Sequence, residues 1–104
     1  MLQDPWAIVV LGGELDAHTA PRLREQLSGL LDEGRYQIIV DAERIEFMDS
    51  TGLGVLVGAR KRATEHDGAL TIVCTRPNIV RLLDITGLDK VFPVFPSLDQ
   101  ALAR

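Results

Sequence analysis

Short apolar runs alternate along this chain with segments whose apolar residues recur at helical spacing. The runs at 6–11, 36–40, 70–75 and 91–95 are rich in β-branched and aromatic residues, which favour strands. Strands that alternate with helices in this way usually pair in a parallel sheet, and their crossovers are right-handed. We therefore predict an α/β domain with a largely parallel sheet.

The segments between the predicted strands carry the end signals of helices. For the first helix, Asp16 or Thr19 is available as the N-cap, Pro21 fits the first turn, and Gly34 suits the end. For the second, Gly68 is placed to end the helix. The apolar stripes are Ala20, Leu23, Leu27, Leu30 and Leu31 in the first helix, and Leu53, Leu56, Val57 and Ala63 in the second.

Two shorter helices follow the third predicted strand. Pro77 starts one of them, and Gly87 suits its end. Ser97, with Gln100 three residues later, forms a capping box for a terminal helix that reaches Ala103.

The expected strand ends follow from glycine, proline and acidic residues. Gly12 and Gly13 are expected to close the first strand, and Asp41 to end the second. Pro93 cannot donate a hydrogen bond to a neighbouring strand, which places the last strand at an edge of the sheet.

The size and charge of the chain restrict its functions. A chain of 104 residues builds one core, so we predict a single domain over 1–104. The net charge of −4 argues against direct nucleic-acid binding. Neither a transmembrane run nor a signal peptide is evident. The single cysteine, Cys74, lies in an apolar run and is expected to be a buried thiol in a reducing cytoplasm.

The stretch FMDSTGLGVL (47–56) places an acid and two hydroxyls at the start of the second helix. Asp49, Ser50 and Thr51 are all candidate caps, and only one of them can take that role. Gly52 and Gly54 each cost a helix about 0.8–1 kcal/mol relative to alanine, so the backbone is expected to approach something closely there.

The partner in that close approach differs among the glycines. For Gly54 and Gly58, tight packing of the helix on the sheet is the favoured explanation. For Gly52, internal packing and contact with a partner protein both stay open.

Three chemical roles for Ser50 find little support in the sequence. A nucleophile elbow needs a glycine where Met48 stands, and no spacing places either histidine as a base. The pattern of a phosphate-binding loop is absent. A receiver-type aspartyl-phosphate site would want a lysine after the third strand, where Thr75 and Arg76 stand.

A fourth role is that Ser50 accepts a phosphoryl group from another protein. Phosphorylation adds about −1.5 to −2 charges. The helix dipole and free amides would tolerate this charge, whereas Asp49 would oppose it. The domain could then stay folded with an anionic spot on its surface, which makes a switch for binding. From the residues alone, a simple N-cap is nevertheless the favoured interpretation of Ser50.

Three stretches together resemble the anti-sigma factor antagonists, which are single-domain members of the STAS family. They are FMDSTGLGVL, GELDAHTA (13–20) and IVRLLDITGL (79–88). The resemblance implies a STAS-like single domain with a mixed, mostly parallel sheet of four to five strands and about four helices. Such domains commonly begin with an additional strand, which would fall on Met1 to Pro5 in this chain.

The resemblance also implies a partner-switching protein. In this family an anti-sigma factor serine/threonine kinase phosphorylates the hydroxyl directly after the motif's aspartate, which is Ser50 here and not Thr51. The unphosphorylated protein binds that kinase and frees a sigma factor, and a PP2C-type phosphatase restores this form. ATP belongs to the kinase, so the resemblance implies a cytoplasmic binding module with no cofactor, no metal, no catalytic residue and no membrane contact.

The loop before the first helix is expected to share the partner surface with the Ser50 motif. Asp16 and Thr19 have a local alternative role, which is to cap the first helix. For His18 the favoured interpretation is that its side chain is simply exposed to solvent. The predicted partner-binding residues are Asp16, His18, Thr19, Asp49, Thr51, Gly52 and Leu53.

Two other functions stay open. One is a STAS scaffold that senses a nucleotide or lipid, or serves a transporter assembly, without serine phosphorylation. The other is a small hydrolase, for which the sequence offers neither a base nor an oxyanion hole.

Overall fold

The computed structural model describes residues 6–103 as one layered α/β domain. Four parallel strands lie in the order β1-β2-β3-β4, so each strand pairs with its neighbour in the chain. The elements are β1 (Ala7–Leu15), α1 (Ala20–Asp32), β2 (Gln37–Met48), α2 (Ser50–Thr64), β3 (Ala69–Val73), α3 (Pro77–Ile85), a 3₁₀ turn (Leu88–Lys90), β4 (Val94–Phe95) and α4 (Leu98–Leu102).

The predicted alternation of strands and helices is confirmed. All pairs among the described strands are parallel. The additional first strand that the resemblance suggests would fall on Met1 to Pro5, which lie outside the described residues.

The first two strands are longer than the sequence indicates. Gly12 and Gly13 do not close β1, which continues to Leu15, and Asp41 does not end β2, which continues to Met48. The two errors have one cause, because the extra residues of each strand pair with those of the other. The pairing register of the two strands shifts on both sides of Gly12 and Gly13. Gly13 has a positive φ of 75°, which suits a β-bulge, because glycine adopts this conformation without strain.

The last two strands are shorter than predicted. β3 ends at Val73 instead of Thr75, and only Val94 and Phe95 of the run at 91–95 are in β4. The start of that run belongs to a turn, since the amide of Phe92 donates to the carbonyl of Leu88. The Phe92 side chain is in the core with 1% exposure. The predicted edge position of this last strand is confirmed.

A large core fills the space between the sheet and the first three helices, and a small one lies on the other face under α4. The predicted stripe residues of α1 and α2 are largely in the first core, with Leu27, Leu56 and Ala63 at most 1% exposed. Val57 is an exception, because it lies on the outer side of α2 and is 38% exposed. No helix within residues 6–103 has the length and apolarity that a membrane crossing requires.

The predicted helix ends are largely confirmed. Gly34 has a φ of 82°, and its amide donates to the carbonyl of Leu31 while that of Arg35 donates to Leu30, which is a Schellman motif. At the start of α4, the Ser97 hydroxyl accepts from the amide of Gln100 at 3.1 Å. The terminal helix ends at Leu102.

Gly68 follows α2 as predicted, but its role differs from a left-handed cap. The positive φ of 62° belongs to Asp67. A Cβ on Gly68 would lie 2.0 Å from the carbonyl oxygen of Tyr36, so glycine is required there by close backbone approach. This contact places β3 beside the start of β2, since the amide of Ala69 donates to the same carbonyl.

Candidate functional site

The carboxyl ends of β1 and β2 bring two polar loops together. Leu15 pairs with Met48 as the last residue pair of the two strands. Beyond it, the amide of Asp49 donates to the carbonyl of Leu15 at 3.1 Å. The loop at 16–19 and the helix start at 49–52 therefore lie side by side, at the end of the sheet where open α/β folds carry their sites.

Asp49 is the N-cap of α2. Its backbone is extended, and its side-chain Oδ1 accepts from the amides of Thr51 at 2.9 Å and Gly52 at 3.2 Å. Asp49 thus fills the single capping role for which three residues were candidates. The interpretation of Ser50 as a simple N-cap is wrong.

Ser50 is the first residue of α2 and is exposed. Within residues 6–103, its hydroxyl makes no hydrogen bond, and the helix cap is provided by Asp49 instead. Thr51 is exposed as well. An enzyme can therefore reach either hydroxyl without unfolding the domain.

The structure contradicts the predicted packing of Gly54 and Gly58 on the sheet, and it shows an internal contact for Gly52, whose role the sequence left open. A Cβ on Gly52 would lie 2.6 Å from Cγ of Leu15 and 3.0 Å from its carbonyl oxygen, so internal packing alone requires this glycine. Gly54 and Gly58 have no neighbouring atom within 4 Å of such a Cβ and do not pack against the sheet. They line a cavity of about 260 Å³ between α1 and α2.

Leu53 does not belong to the exposed surface. Its side chain is in the main core and only 6% exposed. Its amide makes the regular helical bond to the carbonyl of Asp49, so Leu53 anchors the start of α2 from inside.

Asp16 organises the loop that precedes α1. Its Oδ1 accepts from the amides of His18 at 2.9 Å and Thr19 at 3.1 Å, and its carbonyl accepts from Ala20 at 2.7 Å. Thr19 is the N-cap residue by position, but its hydroxyl donates to the carbonyl of Glu14 at 2.7 Å instead of capping the helix. Of the two capping candidates, Asp16 therefore satisfies the loop amides.

The same hydrogen bonds act on the charge of Asp16. The amides of His18 and Thr19 lower the pKa of the Asp16 carboxyl below its ordinary value of 3.8. These donors favour the ionised form, so Asp16 is a fixed negative charge beside the start of α2 at neutral pH.

This pKa shift predicts a pH dependence of stability. A carboxyl whose pKa is lower in the folded chain stabilises the fold above its unfolded pKa, and this contribution is lost as the pH falls through the folded pKa. We expect the stability advantage of the wild type over Asp16→Asn to be constant from pH 7 to 5 and to shrink below about pH 4. Urea unfolding of both proteins at several pH values measures it. A difference that stays constant down to pH 3 would contradict the assignment.

The predicted site residues thus separate by exposure. The residues at the surface of the two loops are His18, Thr19, Ser50 and Thr51, with Asp16 and Asp49 half-buried between them, while Gly52 and Leu53 are buried.

Two residues that adjoin this site from within the strands, Leu15 and Phe47, are not among the predicted site residues. Leu15 holds the loops together through its carbonyl and fills the space above Gly52. Phe47, opposite Glu14 in the strand pair, is 49% exposed although it is aromatic and near a strand end. The positions of Leu15 and Phe47 beside the site follow from the observed register of β1 and β2, because no sequence pattern indicates that β1 extends past its glycines.

Three other features bear on possible chemistry, namely the cysteine, a cavity and the grouping of metal-binding side chains. Cys74 is buried as predicted, and burial raises the pKa of its thiol. A cavity of about 460 Å³ lies between β1 and the first half of α1. Within residues 6–103, no three acidic, histidine or cysteine side chains are grouped so as to hold a metal ion.

Comparison with known proteins gives relatives over nearly the whole chain. An anti-sigma-B factor antagonist of Staphylococcus aureus is 41% identical over 92 residues, which are 88% of this chain and 85% of that protein. The crystal structure of an anti-sigma factor antagonist from Mycobacterium paratuberculosis is 31% identical with a TM-score of 0.88, and the match covers 99% of this chain and 87% of that one.

A third relative has been solved in a modified state. The Bacillus cell fate determinant SpoIIAA in its phosphorylated form is 26% identical with a TM-score of 0.76, and the match covers all of this chain and 94% of that one. The family model of the STAS domain matches residues 2–101. On this evidence the chain belongs to the STAS domain family.

Proposed function

We propose that this protein is an anti-sigma factor antagonist whose binding is controlled by phosphorylation of Ser50. In this proposal the unphosphorylated protein binds an anti-sigma factor, which is a serine/threonine kinase, and so releases a sigma factor in the cytoplasm. The relatives that carry the anti-sigma factor antagonist name support this role. The protein is then a substrate and a binding module, not an enzyme.

The observation that carries the proposal is that Ser50 is exposed at the start of α2 and is not needed as its cap. A serine where a helix begins is often explained by its role as the N-cap. Here Asp49 caps α2, and Ser50 is an exposed residue. A phosphoryl group can therefore be transferred to it and removed from it while the domain stays folded.

The surroundings explain how such a phosphate would prevent binding. Phosphorylation adds about −1.5 to −2 charges at neutral pH. The carboxylates of Asp16 and Asp49 already lie at this end of the sheet. A partner that covers the unphosphorylated surface would have to desolvate the added charge without an opposite charge placed for it, and such a mismatch costs several kcal/mol.

In this proposal a kinase and a phosphatase act on the same surface. The kinase must reach the hydroxyl when it is free, and a phosphatase, which we propose to be of the PP2C type, must reach the phosphate. Because Ser50 is exposed at a helix start, neither enzyme needs the domain to open.

A phosphotransfer experiment tests the acceptor. After incubation with candidate anti-sigma factor kinases and ATP, we expect intact-mass spectrometry to show a single added phosphoryl group, and peptide mapping to place it on Ser50. Thr51→Ala should be phosphorylated like the wild type, and Ser50→Ala should not. Modification of Thr51 in the wild type, or modification of Ser50→Ala, would contradict the proposal.

A further inference from the structure

The amides at the start of α2 are nearly all occupied. A helix leaves the first four amides without intrahelical acceptors. In α2 the amide of Asp49 donates to Leu15, and those of Thr51 and Gly52 donate to the Asp49 carboxylate. Among these four amides, only that of Ser50 has no acceptor within residues 6–103.

This occupancy matters for a phosphate attached to Ser50. Free amides at a helix start bind phosphate well, because several of them point at the anion and the helix dipole adds to their effect. A phosphoserine that found such amides would be partly neutralised by its own helix. The Asp49 carboxylate holds two of them and is itself an anion, so it both blocks and repels the phosphate.

The neighbouring loop is arranged in the same way. The carboxylate of Asp16 accepts from the amides of His18 and Thr19. In the first loop too, therefore, a carboxylate occupies two of the backbone amides. The four amides that these two carboxylates hold, two in each loop, are therefore not available to a phosphate on Ser50.

We propose that Asp49 is a positioning residue that keeps a phosphate on Ser50 outside the helix start, as a surface charge that the domain does not neutralise. This deepens the proposed function and rests on phosphorylation at Ser50. Its consequence is that the full charge is presented to the partner, while the domain gains no stability from the modification. Without Asp49, the phosphate would bind the amides of Thr51 and Gly52 and become a weaker signal.

The test uses protein with phosphoserine incorporated at position 50 during translation, so that no kinase is needed. The first readout is the second pKa of the phosphate, measured by ³¹P NMR titration, which is about 6 for free phosphoserine. We expect this pKa to be about one unit lower in Asp49→Ala than in the wild type, because a nearby anion raises it and amide donors lower it. Glu14, Asp16, His18 and Glu46, the other titratable side chains near this end of the sheet, are the same in both proteins.

The second readout is the change of Tm on phosphorylation. In the wild type we expect phosphoserine to leave the Tm unchanged or to lower it by a few degrees. In Asp49→Ala we expect phosphoserine to raise the Tm by a few degrees, since an anion at a helix start stabilises the helix. Asp49→Asn keeps an oxygen acceptor without the charge, so it provides a well-capped variant with an intermediate phosphate pKa if Asp49→Ala folds poorly.

Glu65→Ala is the matched control. It removes one negative charge at the far end of α2, about 22 Å from Ser50 at 1.5 Å per residue, and should leave the phosphate pKa at the wild-type value. Equal phosphate pKa values in the wild type and both Asp49 variants would overturn the inference. So would a rise of the wild-type Tm on phosphorylation. Neither result would bear on which kinase uses Ser50, which the phosphotransfer experiment tests separately.

Discussion

Ser50→Asp is expected to bind the cognate anti-sigma factor at least about a hundredfold more weakly than the wild type does. A carboxylate at position 50 adds a charge beside Asp16 and Asp49 at the centre of the proposed interface. A like charge or an unpaired buried charge costs several kcal/mol, and each 1.4 kcal/mol is a factor of ten in affinity. Titration calorimetry with the purified anti-sigma factor measures the loss.

Ser50→Ala is the matched variant for this experiment. It removes the hydroxyl without adding charge, and the cap of α2 is unaffected because Asp49 provides it. We expect Ser50→Ala to bind within about threefold of the wild type and to stay bound when ATP is added, whereas the wild type is released. Equal binding by Ser50→Asp and the wild type would show that charge at this position does not control association.

Gly52→Ala is expected to destabilise the domain although it adds only one methyl group. The added methyl group would lie within 3.0 Å of three atoms of Leu15. Leu15 cannot move aside easily, because it is 3% exposed and its carbonyl accepts from Asp49. Overpacking of this kind costs about 1–3 kcal/mol, and the helix propensity of alanine offsets up to about 1 kcal/mol of this cost. We therefore expect the Tm to fall by up to about 15 °C. Thermal unfolding followed by circular dichroism measures the change.

Gly54→Ala provides the control on the same helix. Its Cβ would meet no atom within 4 Å, so only helix propensity changes. Alanine is favoured over glycine by about 0.8–1 kcal/mol in a helix, and the Tm should rise. If Gly52→Ala and Gly54→Ala changed the Tm in the same direction, the close contact with Leu15 would not be the reason for glycine at position 52.

The order and type of the elements could be predicted from the sequence because each depends on local patterns. Apolar spacing defines α1 and α2, and Gly34 and Ser97 are correctly assigned to helix ends. The strand lengths depend on pairing instead. β1 and β2 extend past Gly12 and Asp41 because each provides hydrogen-bond partners for the other, which no local pattern records.

The same distinction applies to the site. The hydroxyl motif and the acidic loop are local patterns, and the prediction that they lie side by side is confirmed. Which of the three polar residues caps α2 depends on side-chain direction, and the structure assigns that role to Asp49. The interpretation of Gly54 and Gly58 was wrong, and the role of Gly52 stayed open, for a similar reason: the surroundings of all three glycines follow from how α2 lies relative to the strands.

The measurement closest to the central claim compares protein with and without phosphoserine at position 50, by amide NMR spectra and by binding to the anti-sigma factor. We expect the spectra to differ only around residues 16–19 and 49–53, and binding to be lost. Chemical shifts that change throughout the core would mean that phosphorylation acts by altering the fold, and undiminished binding with a phosphate in place would mean that Ser50 is not the switch.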